Sequence, residues 1–162
     1  MPPARESVRL PAGAGPQQPG SQDASVFDCA CFNVRNAARL ITSLYDRVLE
    51  PSQLKTTQFA ILANLNADDQ ATMQSLATGL GLDPSTMTRT LRPLTDAGLI
   101  EVQAGDDRRS KRLTLTSAGR RKLTLCHRLW KQAQDELRER LGRETFERMI
   151  GDLAAVANAL RT

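Results

Sequence analysis

The chain has few aromatic residues, few cysteines and no long hydrophobic run. Only 4% of its 162 residues are aromatic, and a composition so poor in the side chains that favour sheets argues against an all-β sandwich or barrel. No apolar run approaches the roughly 18 residues that indicate a membrane-spanning helix. The N-terminal residues also lack the apolar stretch of a secretory signal. These absences predict a cytoplasmic protein with one ordinary domain and a tail.

The sequence also lacks the motifs of common enzyme classes. It has a single histidine and none of the short motifs that bind catalytic zinc, cradle a nucleotide phosphate or present a nucleophilic serine. The glycines of Gly79-Leu80-Gly81 follow a helical pattern rather than a strand, which favours a turn over a dinucleotide site. We therefore predict that the protein is not an enzyme and uses no cofactor and no metal.

Three cysteines, an odd number, do not form a disulfide framework, so reduced thiols are expected. Cys29 and Cys31 are two residues apart, and side chains at that spacing point about 200° apart on a helix. They would neither chelate one metal nor bridge each other while the helix is intact. Buried, unreactive thiols are the simplest interpretation, and an oxidisable Cys29 in a fraying first turn is the alternative.

The positive charge is concentrated in one segment. Residues 84–122 hold nine basic residues against four acidic ones, while the whole chain carries a net charge of only +4. A basic segment on a nearly neutral body is typical of proteins that bind polyanions, because Lys and Arg placed against phosphates release condensed counterions. A solvated charged face without a partner is the alternative.

The N-terminal third of the chain changes from a tail to helices. Residues 2–25 hold five of the eight prolines and almost no large apolar side chains, so this segment is predicted to be disordered. Apolar residues then recur at spacings of three and four until Pro51, which predicts a helix buried on more than one side. A shorter helix is predicted over 57–64, capped by Thr56 or Thr57.

Residues 72–98 show the pattern of a helix-turn-helix. Thr72 is placed to cap a short helix that Gly81 ends, and Asp83-Pro84 starts a second helix as a cap followed by proline. Opposite the apolar stripe of this second helix lie polar residues suited to phosphates and base edges, namely Ser85, Thr88, Arg89 and Arg92. Further along, Pro93 predicts a kink or early loosening, because proline lacks an N–H.

Two short β-like runs follow, Leu99 to Val102 and Arg112 to Thr116. They predict a hairpin, the wing of a winged helix, with a charged tip. An arginine from this tip is suited to a minor groove, whose negative potential attracts guanidinium groups, and a solvated turn is the alternative.

Two helices close the chain, the first capped by Thr116 or Ser117 and interrupted by Gly142. Their apolar stripes favour a dimer interface, with packing inside one subunit as the alternative.

Several stretches carry a resemblance to a known family: Leu76-Ala77, Gly81-Leu82-Asp83, Ser85-Thr86-Met87-Thr88-Arg89, Leu94, Ala97-Gly98-Leu99-Ile100, Asp107-Arg108-Arg109 and Leu115-Thr116-Ser117-Ala118-Gly119. Together, over roughly residues 27–160, they resemble the MarR (multiple antibiotic resistance regulator) family of bacterial transcription regulators. The resemblance implies a mainly α-helical winged helix-turn-helix with a small β-hairpin wing, which forms a homodimer through its N- and C-terminal helices. Its domain would span 26–162 after the 1–25 tail, with a DNA-binding lobe over 55–116 and dimerisation helices over 26–50 and 117–161.

The resemblance implies a sequence-specific regulator that binds a pseudo-palindromic operator of double-stranded DNA and no membrane. Repression is favoured because operator occlusion needs no contact with polymerase, and a winged-helix module that binds another protein without reading DNA is the alternative. The family places Arg109 in the minor groove with Asp107 orienting it. The whole predicted DNA-binding set is Ser85, Thr86, Thr88, Arg89, Arg92, Asp107, Arg108, Arg109 and Lys111.

Members of this family are often released from DNA by a small ligand, frequently a phenolic or other aromatic acid. By their position, five residues would line such a pocket here, with ordinary packing or solvation as the alternative: Arg35, Arg39, Tyr45, His127 and Trp130. Other members sense oxidants through cysteine, which makes Cys29, Cys31 and Cys126 redox candidates.

Overall fold

A computed structural model describes residues 28–68, 71–104 and 111–160 of the chain. The described residues divide into two units, with the boundary between residues 37 and 38. The elements, in chain order, are α1 (Ala30–Leu49), a 3-10 turn (Glu50–Ser52), α2 (Thr56–Ala67), α3 (Met73–Leu80), α4 (Pro84–Asp96), β1 (Ile100–Ala104), β2 (Lys111–Leu115), α5 (Ser117–Leu141) and α6 (Arg143–Leu160). The predicted mainly helical fold with a two-stranded hairpin is therefore confirmed.

Two of the local predictions are wrong in part. The helix predicted over 57–64 runs from Thr56 to Ala67, and its N-cap is Lys55, whose backbone N–H donates to the Gln58 side chain. The Thr56 hydroxyl instead donates to Asp46 of α1, a partner ten residues away that local pattern does not indicate. Of the kink or early loosening predicted at Pro93, the early loosening is also absent, since α4 continues to Asp96. Proline removes only one helical hydrogen bond there, and the packing of the flanking buried leucines holds the helix.

The main core lies where α2 packs against α3, α4 and the hairpin on one side and against α5 on the other. Its fully buried side chains include Leu49, Ile61, Leu62, Met87, Leu94, Leu113 and Cys126. A second, smaller cluster consists of Leu44, Tyr45, Ala133, Leu137 and Phe146, contributed by α1, α5 and α6. Trp130 is half-buried and packs against both clusters. The α5 helix therefore joins the two cores, as does the C-terminal part of α1, which places Leu49 in the main core and Leu44 in the second cluster.

The start of α5 is fixed by a close approach of two backbones. Thr116 caps α5 by accepting from the Gly119 N–H, and its own N–H and hydroxyl donate to the carbonyls of Leu99 and Gly98. A Cβ on Gly119 would lie 2.1 Å from the Leu99 carbonyl oxygen, far inside van der Waals contact. Only glycine fits there, which explains one residue of the Leu115-to-Gly119 stretch.

Polar contacts fix the connection between α1 and α2. The carboxylate of Asp46 accepts hydrogen bonds from the backbone N–H and the hydroxyl of Thr56, at 2.7 and 2.8 Å. Ser52 is fully buried, and its carbonyl accepts from the Lys122 ammonium of α5 at 3.0 Å. These contacts hold the turn between the helices against the main core.

The C-terminal helix leaves a row of apolar side chains uncovered. Ile150, Leu153, Val156 and Leu160 of α6 are between 43% and 78% exposed. On α1, Leu40 is exposed in the same way. None of the described helices is both long and apolar enough to cross a membrane.

Candidate nucleic-acid interface

The helix-turn-helix consists of α3 and α4, joined by a three-residue turn. Thr72 caps α3 as predicted, with its hydroxyl accepting from the Ser75 N–H. Gly81 ends α3 in the left-handed region, at φ 63°, and its N–H bonds back to the last turn of the helix. Glycine adopts this conformation without the steric cost that a Cβ brings, so the turn follows directly from the sequence.

Asp83 organises the start of α4. Its carboxylate accepts hydrogen bonds from the backbone N–H groups of Ser85 and Thr86 and from the Ser85 hydroxyl. These bonds hold the pKa of the carboxyl far below its ordinary value, because they stabilise the charged form. The bond from the Ser85 side chain has the largest effect on this pKa, and the bonds from Thr86 come next. The predicted cap is confirmed, and it fixes the first turn of the helix.

The two faces of α4 have different environments. Met87, Leu91 and Leu94 are buried in the main core. The exposed face carries the side chains of Ser85, Thr88, Arg89 and Arg92, which line one shallow surface depression. Thr86, the other α4 residue of the predicted DNA-binding set, is only partly exposed and does not line it.

The exposed side chains of α4 differ in how they are held. The Thr88 hydroxyl donates to the Pro84 carbonyl at 2.9 Å, and the Ser85 hydroxyl donates to Asp83 at 2.5 Å. Arg92 forms an ion pair with Asp96, with Nε 3.7 Å from Oδ2. Arg89 makes no hydrogen bond, ion pair or ring contact with any part of the chain that the structure describes.

The hairpin lies beside the helix-turn-helix. β1 and β2 pair antiparallel, with Ile100 opposite Leu115 and Ala104 opposite Lys111. The segment before α3 also joins β2, through a bridge between Thr72 and Arg112. Lys111 is exposed at the start of β2. The predicted wing residues Asp107, Arg108 and Arg109 lie outside the described residues.

One cation of the basic segment has a structural role that the sequence pattern did not indicate. The Lys122 ammonium bonds the carbonyl of the buried Ser52, and Lys122 itself is partly buried. It therefore belongs to the packing between α5 and the turn after α1. The two residues of this contact are 70 apart in sequence, so no local pattern reveals it.

The predicted effector residues fall into separate places. Tyr45 is buried in the second core cluster, where burial raises the pKa of its hydroxyl and the Arg138 charge opposes the shift. The ring of Trp130 lies 5.3 Å from that of the exposed His127 and 6.2 Å from that of Phe59.

Of the two predicted arginines of α1, only Arg39 belongs to the same unit as Tyr45 and Trp130. Arg39 lines a groove of about 640 Å³ together with Thr42, Asp46 and Lys55, and this groove is lined by neither Tyr45 nor Trp130. Arg35 is exposed within residues 28–37, which form part of the other unit.

The three cysteines divide into two environments. Cys126 is fully buried in the main core, as expected of an unreactive thiol. Cys29 and Cys31 are both exposed, so the burial expected for them is wrong. Cys29 precedes α1, and its carbonyl accepts from both the backbone and the side-chain amide of Asn33. Among the described residues, no group of three or more His, Cys, Asp or Glu is placed to hold a metal.

Sequence comparisons find regulators of transcription. The MarR family profile matches residues 54–111. The uncharacterized HTH-type transcriptional regulator YwoH of Bacillus subtilis is 29% identical over 89 residues, which are 55% of this chain and 65% of YwoH. The match therefore spans slightly less than two thirds of that relative.

Structural comparisons give longer matches. The M. tuberculosis transcriptional regulator MosR, solved in complex with DNA, is 39% identical with a TM-score of 0.69, covering 83% of this chain and 99% of MosR. The transcriptional repressor CouR, bound to a 23-mer DNA duplex, is 28% identical with a TM-score of 0.75, covering 82% of this chain and 94% of that CouR chain. CouR bound to p-coumaroyl-CoA is 26% identical with a TM-score of 0.75, and the match covers 84% of this chain and 96% of that CouR chain.

Proposed function

Because the chain belongs to the MarR family of transcription regulators, we propose that it represses transcription by binding a pseudo-palindromic DNA operator as a homodimer. The observation that carries this proposal is the 39% identity to DNA-bound MosR over nearly the whole of that chain. The exposed polar face of α4 supports it, because a recognition helix in the major groove needs its outer residues free of the core. Two such helices related by a two-fold axis would read half-sites roughly 34 Å apart.

The homodimer is supported by the uncovered face of α6. Monomeric soluble proteins expose scattered apolar residues, but a row of four along one helix marks an interaction surface. A second copy would cover it with an identical face, since most soluble homo-oligomers are symmetric dimers. The prediction that α1 contributes to the same interface rests on the family resemblance and on the exposure of Leu40.

Fluorescence anisotropy tests the DNA-binding function. The labelled DNA is the region upstream of the protein's own gene, and it is titrated at two salt concentrations with unrelated DNA as competitor. We expect tight binding that resists the competitor and weakens steeply with salt, because Lys and Arg release counterions from phosphates. Binding that is no tighter than to the competitor would instead favour a module that binds another protein, whose apolar interface is insensitive to salt.

We further propose that an aromatic acid or thioester releases the protein from DNA by binding near Trp130. CouR, whose structure contains p-coumaroyl-CoA, supports this chemical class. Trp130 supports the place, because its half-buried ring lies between the two core clusters and beside His127.

Trp130 also reports on that site, since it is the one tryptophan of the chain. Titration with p-coumarate or p-coumaroyl-CoA should change its fluorescence saturably, at the same concentrations that release labelled DNA. Release without any change in fluorescence would place the effector elsewhere.

Oxidant sensing is the second form of regulation that we propose, through Cys29. Its exposure at the start of α1 supports access for peroxide, and thiolates at exposed sites oxidise more readily than buried ones. A peroxide titration of DNA binding compares the wild-type protein with Cys29→Ala. Identical responses would exclude Cys29 as the sensor, and Cys126→Ala is the buried control.

A further inference from the structure

The exposed face of α4 has one cation available for a base and one that is already paired. We propose that Arg89 reads a guanine in each half-site and that Thr88 reads a neighbouring thymine through its methyl group, whereas Arg92 contributes no base specificity. This inference rests on the proposed DNA-binding function and adds the bases that α4 selects.

The argument for Arg89 is its freedom from partners. Its guanidinium is exposed and makes no hydrogen bond or ion pair with any described residue. An arginine side chain offers N–H donors in a planar fork, which matches the O6 and N7 acceptors that guanine presents in the major groove. Arg89 is also in the second turn of α4, within the N-terminal half that approaches bases in helix-turn-helix proteins. It therefore reaches the groove without first breaking a contact inside the protein.

Arg92 lies one turn further along α4, and it differs from Arg89 both in having a partner and in its position on the helix. It is paired with Asp96, so the two side chains together carry no net charge. Contact between Arg92 and a base would separate that pair and leave the Asp96 carboxylate of the same depression without its counter-charge, where the DNA phosphates would repel it. We therefore expect Arg92 to affect affinity weakly and equally for all sequences.

The argument for Thr88 is its hydroxyl bond. The proton of that hydroxyl is donated to the Pro84 carbonyl, so it is not available to a base acceptor. The methyl group remains, and threonine methyls contact the C5 methyl of thymine in the major groove. Because Thr88 precedes Arg89 directly and both line the same depression, the thymine and the guanine should be neighbours in the half-site.

The test is a binding-site selection with full-length wild-type protein, followed by single-base substitutions in the selected operator. We expect one guanine per half-site whose replacement by 7-deazaguanine, which lacks the N7 acceptor, weakens wild-type binding. Replacing the whole G·C pair should cost roughly 5- to 150-fold in Kd, the range of a bidentate base contact. In Arg89→Ala both substitutions should have no further effect, while the other positions keep their preferences.

Two matched variants complete the design. Arg92→Ala should retain every base preference. Thr88→Ser keeps the hydroxyl and lacks the methyl, so it should lose the preference for thymine over uracil at the neighbouring position, since uracil lacks the C5 methyl. All three residues are exposed, and unchanged melting temperatures will show that the variants fold.

The outcomes separate this inference from the proposed function. If wild-type protein selects an operator but Arg89→Ala discriminates at every position as well as wild type does, the assignment of Arg89 is wrong and the DNA-binding function stands. The assignment of Arg89 would also be overturned if the guanine preference is lost in Arg92→Ala but kept in Arg89→Ala. A wild-type protein that selects no sequence overturns both.

Discussion

At the scale of single residues, Asp83 links the chemistry of one carboxylate to the geometry of α4, the predicted DNA-facing helix. It accepts three hydrogen bonds from the first turn of α4 and lies at the positive end of the helix dipole. One of those bonds comes from the Ser85 hydroxyl, so the cap also orients a residue of the predicted DNA-binding set. Local order at the start of α4 therefore depends on this carboxylate being charged.

This charge gives a pH dependence with a defined sign. Because the native pKa of Asp83 is depressed, its contribution is complete above the ordinary pKa of about 3.9 and is lost as pH falls through the native pKa. Thermal unfolding of Asp83→Asn, which keeps an acceptor oxygen that does not titrate, should show a lower Tm than wild type at pH 7. The difference in Tm between wild type and Asp83→Asn should narrow below about pH 4. A gap that stays constant down to pH 3 would contradict this assignment, and exposure to solvent keeps the whole effect small.

Arg109 is the residue for which the family resemblance makes the sharpest prediction. Its proposed place in the minor groove implies a contact that does not depend strongly on sequence. Arg109→Ala should weaken binding to all DNA and reduce the slope of log K against log salt by about one. The matched control is Arg148→Ala on α6, an exposed arginine paired with Glu144, which should leave the slope unchanged. An unaltered slope in Arg109→Ala would remove it from the interface.

At the scale of elements, the packing of α5 on the hairpin depends on the absence of a side chain. Gly119→Ala would place a Cβ against the Leu99 carbonyl, and backbone atoms do not move aside as a flexible side chain does. We expect a loss of roughly 1–3 kcal/mol or more in the free energy of unfolding, measured by urea denaturation.

A second glycine provides the control for that substitution. Gly151→Ala introduces the same methyl group in α6, where it would meet nothing within 4 Å. Alanine favours a helix over glycine, so this variant should gain up to about 1 kcal/mol. Equal unfolding midpoints for Gly119→Ala and wild type would show that the close approach does not constrain α5.

At the scale of the whole molecule, the proposed function depends on two copies acting together. Each helix-turn-helix presents a single recognition helix, so tight operator binding needs a second one at a fixed distance. The uncovered row on α6 is the surface that would set this distance. Dimerisation and DNA affinity are therefore expected to change together.

A charge placed on that row tests the coupling. Val156→Asp should make the protein monomeric and weaken operator binding roughly 100-fold or more, because the second half-site contact is no longer intramolecular. Asn158→Asp introduces the same charge about 160° around the helix from Val156, and it should leave both properties unchanged. Light scattering after gel filtration gives the oligomeric state, and anisotropy gives the affinity. A Val156→Asp dimer with full affinity would place the interface elsewhere.

The sequence alone determined those features that few consecutive residues control. The Thr72 and Asp83 caps, the Gly81 turn and the break at Gly142 were predicted correctly, since each rests on backbone bonds to near neighbours. The order of helices and hairpin followed from hydrophobic period and turn residues. The fold class could be inferred from these local features together, and the predicted α4 face was placed by the same period.

The tertiary structure decided what depends on residues far apart in the chain. Packing of the helices pairs the Thr56 hydroxyl with Asp46 and the Lys122 ammonium with the Ser52 carbonyl through hydrogen bonds. It also places Arg39 in a groove that Trp130 does not line. It also required glycine at position 119 and left Cys29 exposed. A periodic pattern says that one face of a helix is apolar but not which element covers it. Partners, burial and the division between free and paired arginines therefore emerge only when the helices pack.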